Sequence, residues 1–343
     1  MELFDRLKKS ARILLKGDSK KKKRNAIPAI TPEELAEIKQ FFPREKFFIF
    51  GHARSGTTLL MRLLRLHPEV HCNYQAHFFT RQPLLKSLVN TPEAEEWLSR
   101  KSNRWNQGRD LSPLVLRAAA DFIMEREAAK EGKRIVGDKS PSSTIHAQAV
   151  RDMHSIYPDA KLIYIVRDGR DVLISERFRN LVEESKFLNA EDKHIIEDLR
   201  KDQVQFTNGT RSIFTENVIR RVANGWVKNV QETEEEGRRL VGKNYCSLRY
   251  EDLLARPFEE MKKLWEFLGV NVDPALERAM TDEMSSNPDE AWQSKRNEEI
   301  ASFLPKGQAG NWQRLFTARD KSIFKEVAGE MLINWKYEKD TNW

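Results

Sequence analysis

The feature that most constrains this chain is an apolar run that ends in a glycine turn and restarts as a helix. Lys46-Phe-Phe-Ile-Phe50 is continuously apolar after its first residue, the pattern of a strand covered on both faces. Gly51-His-Ala-Arg-Ser-Gly-Thr-Thr58 follows, and Thr57–Leu66 then reads as a leucine-rich helix closed by Pro68. In such a unit, glycines and small residues let backbone N–H groups converge. The helix N-terminus adds about half a unit of positive charge. The turn therefore predicts a site for phosphate or sulfate. Its Gly51 to Gly56 spacing is that of the triphosphate-binding P-loop, but Thr57 stands where that loop has lysine. The cation is Arg54, inside the turn. This disfavours magnesium-dependent triphosphate chemistry and favours an arginine forked onto one terminal phosphate or sulfate.

Further strand and helix signals alternate along the chain. Thr31 reads as a helix cap with Pro32 at the first helical position. Arg134–Gly137, Lys161–Val166 and Asn244–Leu248 read as strands. Arg170–Phe178 and Pro257–Leu268 read as helices, the second with Phe258, Met261, Leu264, Trp265 and Leu268 on one stripe. Strands alternating with helices predict an α/β fold: a doubly wound parallel sheet with helices on both faces, carrying the P-loop. Residues 31–343 read as a single domain. Residues 180–215 are polar and weakly patterned, an insertion or lid, and 285–310 read as a long loop of the kind that is often functional.

Charge is informative by region. The chain of 343 residues has 59 Lys+Arg and 52 Asp+Glu, a net +7. Residues 1–30 hold ten basic and three acidic side chains, so the rest carries 49 of each sign. The basic balance thus belongs to a terminal segment and argues against a nucleic-acid-binding body. Leu3, Phe4, Leu7, Ala11, Leu14 and Leu15 fall at helical spacing in that segment, ahead of the basic run Lys20–Arg24. Residues 1–24 read either as a basic amphipathic helix for an anionic membrane surface or as a helix packed on the body before a solvated linker. Two cysteines, Cys72 and Cys246, exclude a disulfide framework, and no metal-ligand spacing is present. The sequence shows neither a spanning apolar run nor a secretory signal. These features place the chain in the cytoplasm, or at the membrane surface.

Four motifs in order resemble one family. Arg54-Ser55-Gly56-Thr57-Thr58, followed by a leucine-rich helix and His67-Pro68, resembles the 5′-phosphosulfate loop of sulfotransferases that use 3′-phosphoadenosine 5′-phosphosulfate (PAPS). Val166-Arg-Asp-Gly-Arg-Asp-Val-Leu-Ile-Ser175 resembles their 3′-phosphate motif, which implies that Arg167 and Ser175 hold that group. Tyr250-Glu-Asp252 resembles the segment near the adenine. Lys306-Gly307, in Lys306-Gly-Gln-Ala-Gly-Asn-Trp312, resembles the loop that closes on the 3′-phosphate. The resemblance covers residues 46–340. It implies PAPS as donor, adenosine 3′,5′-bisphosphate (PAP) as product and no metal.

The resemblance also assigns roles in catalysis. Arg54 would stabilise the leaving phosphate, with hydroxyl and backbone donors from Thr57 and Thr58. Lys139, in Gly137-Asp-Lys-Ser-Pro141, is similar to the lysine that contacts the sulfuryl group. Cys72-Asn-Tyr-Gln-Ala-His-Phe-Phe79 resembles the segment that carries a catalytic glutamate in heparan sulfate and tyrosylprotein sulfotransferases. Here Gln75 takes that place and cannot accept a proton. The expected base is therefore His77, with Gln75 orienting the acceptor. His52 and His67 are poorer candidates. Asp138 is an alternative base whose neighbour Lys139 should keep its basicity low. Two other readings stand beside the enzyme: a P-loop kinase for a small molecule, and a non-catalytic nucleotide-binding protein at a membrane. The expected acceptor is a hydroxyl of a glycan, glycolipid or other metabolite. Oligomeric state is not legible.

Overall fold

The computed structural model describes residues 27–182, 188–286 and 308–343. The N-terminal amphipathic segment, Lys306 and Gly307 lie outside the described residues. Five strands, β1 (Glu45–Gly51), β2 (Val70–Tyr74), β3 (Ile135–Lys139), β4 (Lys161–Val166) and β5 (Tyr245–Arg249), form one sheet in the order β2-β3-β1-β4-β5. All pairs are parallel, with Phe47 opposite Gly137 on one side and Lys161 on the other.

Side-chain alternation along the central strands feeds two cores. Phe47 and Ile49 of β1, with Ile163 and Ile165 of β4, join Leu60, Leu63 and Leu64 of the Thr57–Leu64 helix and Leu264, Trp265 and Leu268 of the Pro257–Leu268 helix. Phe48, Phe50, Leu162 and Tyr164 face the other way. They meet the helices Ser112–Lys130, Ala147–Ile156, Gly169–Val182, Glu216–Glu236 and Ala318–Asn334. The helix after β1 thus covers one face and the helix after β4 the other. Neighbouring strands whose following helices leave to opposite faces open a crevice at their C-terminal ends, where ligands of such sheets bind.

The expected helix at Pro32 is present as Pro32–Lys39, with a reciprocal cap between Thr31 and Glu34. Within 180–215, the Ala190–Lys201 helix buries Ile195, Ile196 and Leu199 in the larger core, and Asp192 pairs with buried Arg177 at 2.7 Å. Edge strand β2 was not expected from sequence. His71 and Asn73 interrupt its apolar pattern, and His71 is held by Glu131 on the chain just past the Ser112–Lys130 helix.

A charged knot closes the strand end opposite the crevice. Lys46, its side chain fully buried, lies 2.6 Å from Glu125 and 3.5 Å from Asp121. Arg117 pairs with Asp121 at 2.8 Å and with Asp159 at 2.9 Å, and the Tyr157 hydroxyl donates to Asp121. Removing one partner from such a cluster leaves a buried charge uncompensated. Lys46→Met is expected to lower the unfolding free energy by about 3–5 kcal/mol in urea titration. A loss under about 1 kcal/mol would mean that the knot is not a stabilising unit.

Candidate active site

Three loops at the C-terminal ends of β1, β3 and β4 build the site. The exit of β1 turns sharply at Arg54 (φ 73°) and Gly56 (φ 86°), the residue that caps the Thr57–Leu64 helix. Gly56 is required there twice over. The left-handed backbone favours glycine, and an added Cβ would lie 2.2 Å from the Tyr250 ring. Ser55 is buried, and its Oγ has no hydrogen-bond partner among the described residues. The first-turn N–H groups of the helix lack intrahelical acceptors, as at any helix start. The loop after β3 runs alongside, with Ser140 and Ser142 donating their N–H groups to Ile49 and Gly51 carbonyls at 3.0 Å.

Arg167 leaves the end of β4 into the same crevice. Its guanidinium donates to the carbonyls of Arg54 (3.2 Å) and Gln308 (2.9 Å) and lies 4.9 Å from the centre of the Tyr250 ring. Its Nε is buried without a partner among the described residues. Arg54 Nε donates to Ser175 Oγ at 2.9 Å. Thus Arg54, Ser55, Gly56, Arg167, Ser175 and Tyr250 come together. The Arg54 head lies against Ser175, a residue that the sequence resemblance assigns to the 3′-phosphate. The rest of the β4 motif anchors the fold. Asp171 accepts the N–H groups of Gly310 (2.7 Å) and Trp312 (3.1 Å), which fixes residues 310–312 beside Arg167, and 287–307 of the expected 285–310 loop lie outside the described residues. Arg170 forks onto Asp168 and is held between the Trp312 and Trp343 rings at 3.6 and 4.5 Å.

The third loop holds Lys139 at the end of β3. Its buried ammonium donates to Thr58 Oγ1 at 3.2 Å and sits 3.8 Å from the centre of the Tyr74 ring. Burial lowers its pKa to about 8. The adjacent Asp138 goes the other way from its expected behaviour. Burial outweighs the Lys139 cation and raises it to about 6. Both Asp138 oxygens are engaged, Oδ1 by the Ala76 N–H at 2.9 Å and Oδ2 by the Ser140 hydroxyl. Ser140 Oγ in turn accepts the His77 N–H at 2.9 Å, and the Gln75 N–H donates to the Lys139 carbonyl at 2.9 Å. This template holds Gln75 (φ 58°) and His77 (φ 54°) in the left-handed region, a strain that concentrates at functional loops. The half-buried His77 ring places Nδ1 2.9 Å from Thr80 Oγ1. Burial first, then the Arg81 and Lys139 cations, lower its pKa, so it is neutral near pH 7. His52 is buried with Nδ1 2.8 Å from the Ala53 carbonyl, and His67 Nε2 is 2.8 Å from the Asn271 carbonyl.

A family model for the sulfotransferase domain matches residues 44–336. The chain belongs to the sulfotransferase family. Protein-tyrosine sulfotransferase A of Caenorhabditis elegans is 25% identical over 230 residues, 66% of this sulfotransferase-family chain and 50% of that protein. Protein-tyrosine sulfotransferase of Drosophila melanogaster is 26% identical over 234 residues, covering 67% and 39%. The chain therefore spans half or less of the length of these relatives. Sulfotransferase 2A6 of Mus musculus is 25% identical over 260 residues, covering 72% and 78%. Among solved structures, a mouse sulfotransferase complexed with PAP aligns over 89% of this chain and 90% of that one, at 19% identity and a TM-score of 0.46.

Some residues of this sulfotransferase-family site carry no sequence signal of their own. Tyr74 and Ser140 matter only because β2 and β3 are neighbours, with Tyr74 opposite Lys139. Asp171 had a readable signal, its place within Arg167-Asp-Gly-Arg-Asp171. The contact of Gly56 with Tyr250 is testable by a double-mutant cycle. Gly56→Ala is expected to cost about 2–4 kcal/mol, and only about 1–2 kcal/mol in a Tyr250→Ala background, where the left-handed backbone alone remains. Equal losses in urea denaturation would show that the loop does not rest on the ring.

Proposed function

We propose that the chain transfers a sulfuryl group from PAPS to an acceptor hydroxyl, releasing PAP, a sulfate ester and a proton. The observation that carries this reading is the shared crevice of Arg54 and Arg167 at the ends of β1 and β4. The residues fit a doubly anionic nucleotide. Ser55 Oγ and Arg167 Nε are buried polar atoms without partners among the described residues, and the Tyr250 ring beside them offers an aromatic surface for a base. The family resemblance and the PAP complex of the mouse relative support the same donor.

In this reading Arg167 and Ser175 hold the 3′-phosphate, together with Lys306 and Gly307. Arg54, Ser55, Gly56, Thr57 and Thr58 hold the 5′ end through guanidinium, hydroxyl and backbone donors. A loose transition state places new charge on the leaving oxygen, and Arg54 and Lys139 are the cations placed to stabilise it. His77, neutral near pH 7, takes the acceptor proton, and Gln75 orients the acceptor. The acceptor hydroxyl belongs to a glycan, glycolipid or metabolite, or to a tyrosine, the residue named in two relatives.

The test is transfer of labelled sulfate from PAPS to a panel of glycans, glycolipids, small hydroxyl metabolites and tyrosine peptides. One class is expected to take label, and Arg54→Ala is expected to lose at least about a hundredfold in rate. Donor binding with no labelled acceptor would favour a non-catalytic nucleotide-binding protein. Magnesium-dependent phosphate transfer from ATP would favour a kinase.

The pH dependence is a separate expectation. His77 has a lowered pKa, so protonation should reduce kcat/KM only below about pH 6.5. Lys139 loses its proton through about pH 8, so kcat/KM should fall above that value. In Lys139→Arg the cation persists, and the alkaline fall should disappear. His77→Ala should lose about a hundredfold in kcat. Normal turnover would remove His77 from the mechanism.

A further inference from the structure

The end of the sheet opposite the crevice carries two large aromatic rings in solvent. Trp97 is 61% exposed and Trp105 is 52% exposed, and the rings stack on each other at 5.4 Å and 30°. From Trp97 to Arg109 the chain has four basic residues, Arg100, Lys101, Arg104 and Arg109, all exposed, and no acidic one. The acidic residues nearby are Glu93, Glu95 and Glu96 on the preceding helical turns and Asp110 directly after Arg109, and Arg100 lies 3.3 Å from Glu96. Arg109 reaches Glu37 at 3.6 Å on the Pro32–Lys39 helix, which leads into β1. Lys39 of that helix pairs at 2.8 Å with Asp159, just before the start of β4. These contacts fix the tryptophan loop at the end where the strands begin. Phe41, 71% exposed, follows the same helix.

The chain enters the described structure at this end as well. The Ile30 N–H donates to the Ser155 carbonyl at 2.8 Å, near the close of the helix that precedes β4. Upstream lies the segment that holds the whole net positive charge of the protein.

We propose that this end of the molecule docks on an anionic lipid membrane. Trp97 and Trp105 seat in the headgroup region, and Arg100, Lys101 and Arg104 pair with lipid phosphates. Three features select a lipid surface over a protein partner. Tryptophan combines an apolar body with an N–H that suits the headgroup level. Basic side chains flank the rings and bury their stems while keeping their charge in the polar layer. The basic N-terminal segment joins the fold at the same end and adds attraction to anionic headgroups. Arg54 and Arg167 lie at the other ends of their strands, so docking leaves the nucleotide crevice open to solution.

The experiment is co-sedimentation of the full-length chain with vesicles of phosphatidylcholine containing about 30 mol% phosphatidylglycerol. Wild type is expected to sediment with these vesicles and not with pure phosphatidylcholine, and its tryptophan emission should shift to the blue. Trp97→Ser/Trp105→Ser is expected to weaken partitioning at least about tenfold. Arg100→Ser/Lys101→Ser/Arg104→Ser, or high salt, should act in the same direction. Far-UV circular dichroism and thermal melting check that both variants are folded. Sedimentation of the tryptophan variant equal to wild type would assign binding to the N-terminal segment alone and overturn the proposal. Failure of wild type to sediment would overturn it too.

Discussion

The site depends on one constraint of chain winding. β1 and β4 are hydrogen-bonded neighbours, yet the helix after β1 covers one face of the sheet and the helix after β4 the other. Their exit loops must part, and the gap between them is the crevice. Arg167 bridges that gap by donating to the Arg54 carbonyl, and Arg54 closes it from the other side through Ser175.

The His77 loop is held by a different means. Asp138 is buried and spends both oxygens on neighbours, one on a backbone N–H and one on Ser140, which then holds the next strained residue. A carboxylate so engaged is a template more than a base, although burial raises its pKa to about 6. Lys139 beside it is the converse case, a cation made more acidic by the same burial and placed against Thr58 of the phosphate loop. One strand end thus supplies both the scaffold of the His77 loop and a buried cation beside Thr58.

Much of this arrangement was legible in the sequence because its signals are local. The phosphate loop, the Lys161–Val166 strand and the Pro257–Leu268 helix carry their pattern in consecutive residues. The Ser112–Lys130 helix was not legible because its inner face bears Arg117, Asp121 and Glu125, charges that cancel one another only after folding. The raised basicity of Asp138 was missed for a similar reason. Its sequence neighbour Lys139 argued for a strong acid, while burial, a property of the assembled sheet, decided otherwise. The meeting of Gly56 with Tyr250 joins residues far apart in the chain, so no spacing rule reveals it.

The central claim is that Arg54 and Arg167 hold opposite ends of one adenine nucleotide. Titration calorimetry of the full chain with adenosine 3′,5′-bisphosphate tests it most directly. Wild type should bind with a dissociation constant that weakens as salt rises, and Arg167→Ala should weaken it at least about tenfold, since a charged hydrogen bond is worth about 1.5–3 kcal/mol. Adenosine 5′-monophosphate, which lacks the 3′ group, should bind wild type and Arg167→Ala alike. Absence of heat with the bisphosphate, or equal affinity of wild type and Arg167→Ala for it, would contradict the account.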